Sequence, residues 1–100
     1  MLIAIVEFEV TKETRASAVT QLLTEVPAVR AMAGNLGFGT YADPTNETSV
    51  VILHRWKTQE NFQNYLASEA FARSGKILRP LMTAPPQSNR YDAKLIETVA

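Results

Sequence analysis

The sequence contains no cysteine and a single histidine. Without cysteine there is no disulfide, no thiolate nucleophile and no Cys-based zinc site, and the redox compartment is left open. With one histidine, a metal centre would have to rest mainly on carboxylates, and no cluster at ligand spacing occurs. A phosphate-binding glycine loop, a dinucleotide glycine fingerprint, a nucleophile-elbow serine and an HExxH pair are also absent. Neither a tightly held metal nor any other cofactor is therefore expected. Charge of one sign is lacking too: ten Lys plus Arg balance ten Asp plus Glu, and no segment concentrates either. Nucleic acid and membrane surfaces are not expected partners. Met1 leads straight into Leu2-Ile3-Ala4-Ile5-Val6 and Glu7, with no basic segment ahead of an apolar run too short for a membrane span. A cytoplasmic protein is expected.

What remains is ordinary globular material, 46% hydrophobic and 20% charged over 100 residues, enough for one small α+β domain over residues 1–100. A core of this size leaves much surface exposed, so help from a partner subunit would be useful. Residues 2–10 alternate Leu2, Ala4, Val6, Phe8 and Val10 against Ile3, Ile5, Glu7 and Glu9, a first strand. From Lys12 the period becomes helical through Val19, Leu22, Leu23, Val26, Val29 and Ala33, with Thr11 available as N-cap and Gly34 as the stop. Pro27 lies inside that helix and predicts a kink or break near Glu25. Residues 35–41 read as a strand softened by Gly37 and Gly39, and Asp43-Pro44-Thr45-Asn46 as a turn.

Residues 49–56 form the clearest strand, with Val50, Ile52, His54 and Trp56 on one face and Val51, Leu53 and Arg55 on the other. Thr58 and Ser68 each cap a helical piece, the first bearing Phe62, Tyr65 and Leu66, the second Phe71, Leu78 and Met82; Pro85-Pro86 ends the run. A last strand is read between Asn89 and Val99. The order β-α-β-β-α-β predicts a ferredoxin-like antiparallel sheet, strands one and three central and two and four at the edges, with helices on one face. The two central strands are apolar on both sides, so the second face needs a cover, and a homodimer is expected.

His54 is the best general base available near neutral pH, its ordinary pKa being about 6.5; the competing reading is a histidine satisfied by a backbone carbonyl or a strand carboxylate. Trp56, on the same face, is either core or a wall for a ligand. Phe62 and Tyr65 are three apart and both can point at the sheet, and the Tyr65 hydroxyl could reach a substrate oxygen. Glu7 and Glu9 are expected to be solvated or salt-bridged to Arg55, and Arg79 reads as a surface or helix-terminal cation rather than an anion clamp.

The stretch from Val50 through Trp56, followed by Lys57-Thr58-Gln59-Glu60-Asn61-Phe62-Gln63-Asn64-Tyr65-Leu66-Ala67-Ser68, resembles the antibiotic biosynthesis monooxygenase family. The likeness lies in an apolar strand ending in Trp, a Ser/Thr-capped helix and a leucine-x-serine step. It implies a dimeric α+β barrel and a cofactor-independent monooxygenase acting with O₂ on a small electron-rich aromatic of quinol or anthrone type. On that reading His54 takes the proton and Tyr65 holds a substrate oxygen, while Trp56, Phe62, Ile52 and Phe71 line the substrate site. The chain has His54 where the family often has Glu, Tyr65 where it often has a helix histidine, and Met32-Ala33-Gly34 at the usual Glu-Pro-Gly step. Haem-degrading relatives would use the helix histidine as axial ligand, so the resemblance implies no haem here. The alternative is a non-catalytic dimeric small-molecule-binding or stress-response protein with the same pocket.

Overall fold

A computed structural model describes all 100 residues, Met1–Ala100. The elements are β1 (Leu2–Glu9), α1 (Arg15–Arg30), β2 (Asn35–Tyr41), β3 (Ser49–Trp56), α2 (Gln59–Leu66), α3 (Glu69–Leu78), a 3-10 turn (Arg79–Leu81) and β4 (Gln87–Asp92). The sheet order is β2-β3-β1-β4, every neighbouring pair antiparallel. The two strands apolar on both faces are the central ones, because only there is each face flanked by other strands. Leu2, Ala4, Phe8, Val50, Ile52 and Trp56 are buried under the helices. On the other face Ile3, Ile5, Val51 and Leu53 are only half-buried, and Tyr41 and Tyr91 are exposed.

The local signals act as their chemistry dictates at most junctions. The Thr58 hydroxyl accepts from the Asn61 amide at 3.1 Å and the Ser68 hydroxyl from the Phe71 amide at 3.2 Å, so each short helix starts on a side-chain cap. Asp43 accepts from the Thr45 amide at 2.8 Å and closes the β2–β3 connection. Gly34 has a φ of +79°, and a Cβ there would lie 2.1 Å from Asn61 Oδ1. Glycine therefore serves both the turn after α1 and its close approach to α2.

Five expectations are corrected. Thr11 does not cap α1: it accepts from the Thr14 amide in a preceding turn, and the helix begins at Arg15. Pro27 does not break α1, which runs unbroken to Arg30 with Pro27 on its exposed outer side. The buried face of that helix is Ala18, Leu22, Glu25 and Val29, while Leu23 is exposed and Ala33 lies beyond the helix. Glu25 can be buried because Arg73 of α3 meets its carboxylate with two hydrogen bonds of 2.8 Å, and Gln21 adds a third at 3.2 Å. The guanidinium holds that carboxyl below the usual carboxylate range against the opposing effect of burial. It is also the one ion pair of the chain, so Arg55 does not bridge to Glu7 or Glu9; it donates to the Leu36 carbonyl at 3.1 Å instead.

The last strand is the fifth correction, for β4 covers Gln87–Asp92 rather than running to Val99. It ends because β1 runs out. Leu2 pairs with Asp92, and Met1 and Ala93 then exchange bonds of 2.7 and 2.8 Å. Past Ala93 the chain leaves the sheet, and Leu95, Ile96 and Val99 are left exposed.

Candidate functional site

Antiparallel pairing puts side chains of paired residues on one face. Phe38 pairs with His54, His54 with Ala4, and Ala4 with Arg90, so these four form a row across the sheet on its helix side. The short Ala4 side chain leaves room within the row, and the Phe62 ring of α2 occupies it, 5.6 Å from the His54 ring and 4.9 Å below the Arg90 guanidinium. The adjoining row carries Ile52, Val6 and Ser88.

Between these rows and the helices lies a cavity of about 200 Å³. Its floor is Val6, Phe8, Ile52, His54, Ser88 and Arg90; its roof is Leu22, Phe62, Tyr65, Leu66, Phe71, Ser74, Gly75 and Leu78; Arg79, Met82 and Pro86 complete the lining. A dry cavity of about 150 Å³ accommodates benzene. The space therefore suits one substituted aromatic ring, and a tricyclic anthrone would have to project from the opening. The exposed lining residues are Arg79, Pro86, Ser88 and Arg90, which place the mouth along the 3-10 turn, the segment after it and β4.

His54 is 3% exposed, inside a cage of aromatic rings at 5.4 Å (Phe38), 5.5 Å (Tyr65) and 5.6 Å (Phe62). Behind it the Trp56 indole N–H donates to His54 Nδ1 at 2.8 Å. An indole nitrogen can only donate, so Nδ1 must be the unprotonated nitrogen and Nε2 carries the hydrogen of the neutral ring. No fully buried side-chain nitrogen or oxygen lacks a partner, and Trp56 is the one partner His54 has. Nε2 is accordingly the nitrogen that reaches the cavity, and what it presents there is a donor.

Burial, and secondarily the positive charge of Arg90, push His54 down from 6.5 to about 4. Its proton uptake is thus deferred on folding: below pH 6.5 the unfolded chain takes a proton that the folded chain refuses until about pH 4. Stability conferred by this group is complete above pH 6.5 and falls by about 1.4 kcal/mol per pH unit between those values. Burial, with a smaller contribution from Glu25, pushes the Tyr65 hydroxyl up to about 12, so it too is a neutral donor in the cavity wall.

The sequence-based site is therefore assembled in part and revised in part. His54, Tyr65, Phe62, Ile52 and Phe71 share one cavity. Trp56 does not line it: wholly buried, it stacks on Tyr65 at 5.2 Å and holds His54 from behind. The Nδ1 lone pair that a base role for His54 would use is engaged by the Trp56 N–H, which leaves the Nε2–H as its free polar group. Arg79 and Arg90 are the charged lining residues absent from the site expected from sequence; the Ala4 pairing is the signal for Arg90, and it needs the register of an edge strand.

The family model for antibiotic biosynthesis monooxygenase matches residues 1–75. The chain belongs to that family. As a member of the antibiotic biosynthesis monooxygenases, it shares its fold with solved structures at low sequence identity. A Deinococcus radiodurans protein bearing the family's name is 19% identical, covers 100% of this chain and 99% of its own, and superposes with a TM-score of 0.90. Rv0793 of Mycobacterium tuberculosis is 17% identical over 98% of each chain, with a TM-score of 0.86. A conserved Methanosarcina mazei protein is 18% identical over 94% of each, with a TM-score of 0.86. The sequence matches no curated protein. In this family member the matched residues include His54, Phe62, Tyr65 and Phe71 but end before Arg79 and Arg90.

Proposed function

We propose that the chain is a cofactor-independent monooxygenase that oxidises a compact electron-rich aromatic, a hydroquinone or naphthol, with O₂. The observation that carries this reading is a ring-sized apolar cavity with the neutral Nε2–H donor of His54 inside it. A phenolate or enolate oxygen placed against that N–H, in the field of Arg90, is stabilised where water is largely displaced. The phenolic proton leaves to water through the mouth, because no lining residue is a carboxylate. The ring anion then reduces O₂ itself. One oxygen atom forms a C–O bond at the ring carbon and becomes a quinone carbonyl; the other leaves as water with the hydrogens lost from that carbon and the hydroxyl. All four electrons come from the substrate. The Tyr65 hydroxyl donates to a second substrate oxygen, and Phe62, Ile52 and Phe71 hold the ring faces.

A non-catalytic protein whose space around His54 is filled by side chains is disfavoured by the cavity, whereas a non-catalytic binding protein would use the same space. A second copy of the chain is the cover that suits the outer face of Ile3, Ile5, Val51 and Leu53. Since His54 lies under the helices, that partner steadies the sheet and does not wall the cavity. Sedimentation at twice the 11.1 kDa chain mass is expected; a monomer at micromolar concentration removes the partner. The activity is tested by oxygen-electrode traces over a panel of one-ring and two-ring quinols and naphthols. Saturable consumption, one O₂ per molecule, is expected for at least one of them. Binding without consumption anywhere in the panel leaves the non-catalytic alternative.

A further inference from the structure

We infer that the natural ligand of this cavity is an aromatic acid, a ring that bears a carboxylate as well as a hydroxyl, with Arg90 and Arg79 receiving the carboxylate at the mouth. The inference rests on the proposed function for the location of the ring but not for its chemistry.

The cavity is polar at two ends of different character. At the inner end, His54 and Tyr65 are buried neutral donors suited to a hydroxyl or oxyanion. At the mouth both charged side chains are guanidinium groups, and no acid faces them. Neither is neutralised within the chain, whose one ion pair joins Arg73 to Glu25 elsewhere. Arg90 donates only to the Ser88 hydroxyl, at 3.3 Å, and is held over the Phe62 ring, an edge of the apolar space. Arg79 folds back over Gly75, its Nε 3.6 Å from where a Cβ would stand, which lays the side chain along the lining. Two guanidiniums free of acidic partners at an apolar opening fit a planar anion, which such groups bind through paired N–H donors. A ring entering hydroxyl first would leave its other end between them.

Calorimetric titration of the purified chain at low salt with 2,5-dihydroxybenzoate and with 2,5-dihydroxybenzyl alcohol separates charge from ring. The acid is expected to bind about tenfold tighter or more, the size of one good charge-assisted contact at a wet rim. In R79Q/R90Q the two ligands should differ by less than about twofold, because the acid loses the cations that distinguish it from the alcohol. Equal binding of acid and alcohol to the wild type, or a preference that survives the double substitution, overturns the inference. Preference for the acid without oxygen consumption would leave this inference standing and reject the oxygenase reading. Circular dichroism of R79Q/R90Q should match the wild type, since both side chains are exposed.

Discussion

His54→Asn is expected to fold like the wild type while its kcat on an accepted quinol falls by about 10² to 10³, the usual cost of removing one preorganised oxyanion donor. The amide oxygen of asparagine stands close to where Nδ1 was and can accept from Trp56, but nothing replaces the Nε2–H. His54→Gln should do the reverse. Its amide nitrogen extends to the Nε2 position and keeps most of the rate, while the buried Trp56 N–H loses its acceptor at a cost of about 1–3 kcal/mol. The two variants together separate chemistry from support. Retention of the His54→Asn rate within about threefold would remove His54 from the reaction. The pH profile tests where the ring titrates: a histidine near its ordinary 6.5 would give a rate that changes through that value, whereas a ring already neutral above about pH 4 gives a rate independent of this group from pH 5 upward.

Trp56→Ala is expected to cost about 3–5 kcal/mol, which for a domain of this size lowers Tm by roughly 20 °C. The indole is wholly buried, packs on Tyr65 at 5.2 Å and at 6.5 Å from the Phe62 ring, and supplies the bond that sets the His54 tautomer. Trp56→Phe keeps a ring in the core and should lose only about 1–2 kcal/mol, chiefly because Nδ1 of His54 is left without a donor. Thermal unfolding followed by circular dichroism measures both. A Trp56→Ala Tm within about 5 °C of the wild type would mean that the aromatic cluster is not the keystone of the core.

The parts of this fold that were legible in the sequence are those decided by short-range chemistry. The two-residue period of Leu2 to Val10 and of Val50 to Trp56, the hydroxyl caps at Thr58 and Ser68, and the Asp43 turn each depend on a few neighbouring residues. From them came the central strands and the row that joins His54 to Trp56's face. What was not legible depends on partners distant in sequence. Glu25 looked like the polar site of a helix break, because nothing nearby shows that Arg73, 48 residues on, meets it in the core. The alternation of Tyr91, Ala93 and Leu95 suggested a longer last strand, but its length is set by where β1 begins. Arg90 was missed for the same reason: facing Ala4, and through it His54, is a property of β4 register. The tautomer of His54 was beyond reach because it rests on an indole two residues away whose side chain turns behind the ring.

The most direct test of the site is a long-range ¹⁵N–¹H NMR spectrum of the one histidine in the chain, followed from pH 8 to pH 4. The expected result is a neutral ring protonated at Nε2 throughout, with its titration beginning only near the acid end and its Nε2 resonance shifting when a phenolic ligand is added. A ring protonated at Nδ1, or one that titrates near 6.5 in the folded protein, would contradict the donor role on which the proposed reaction depends.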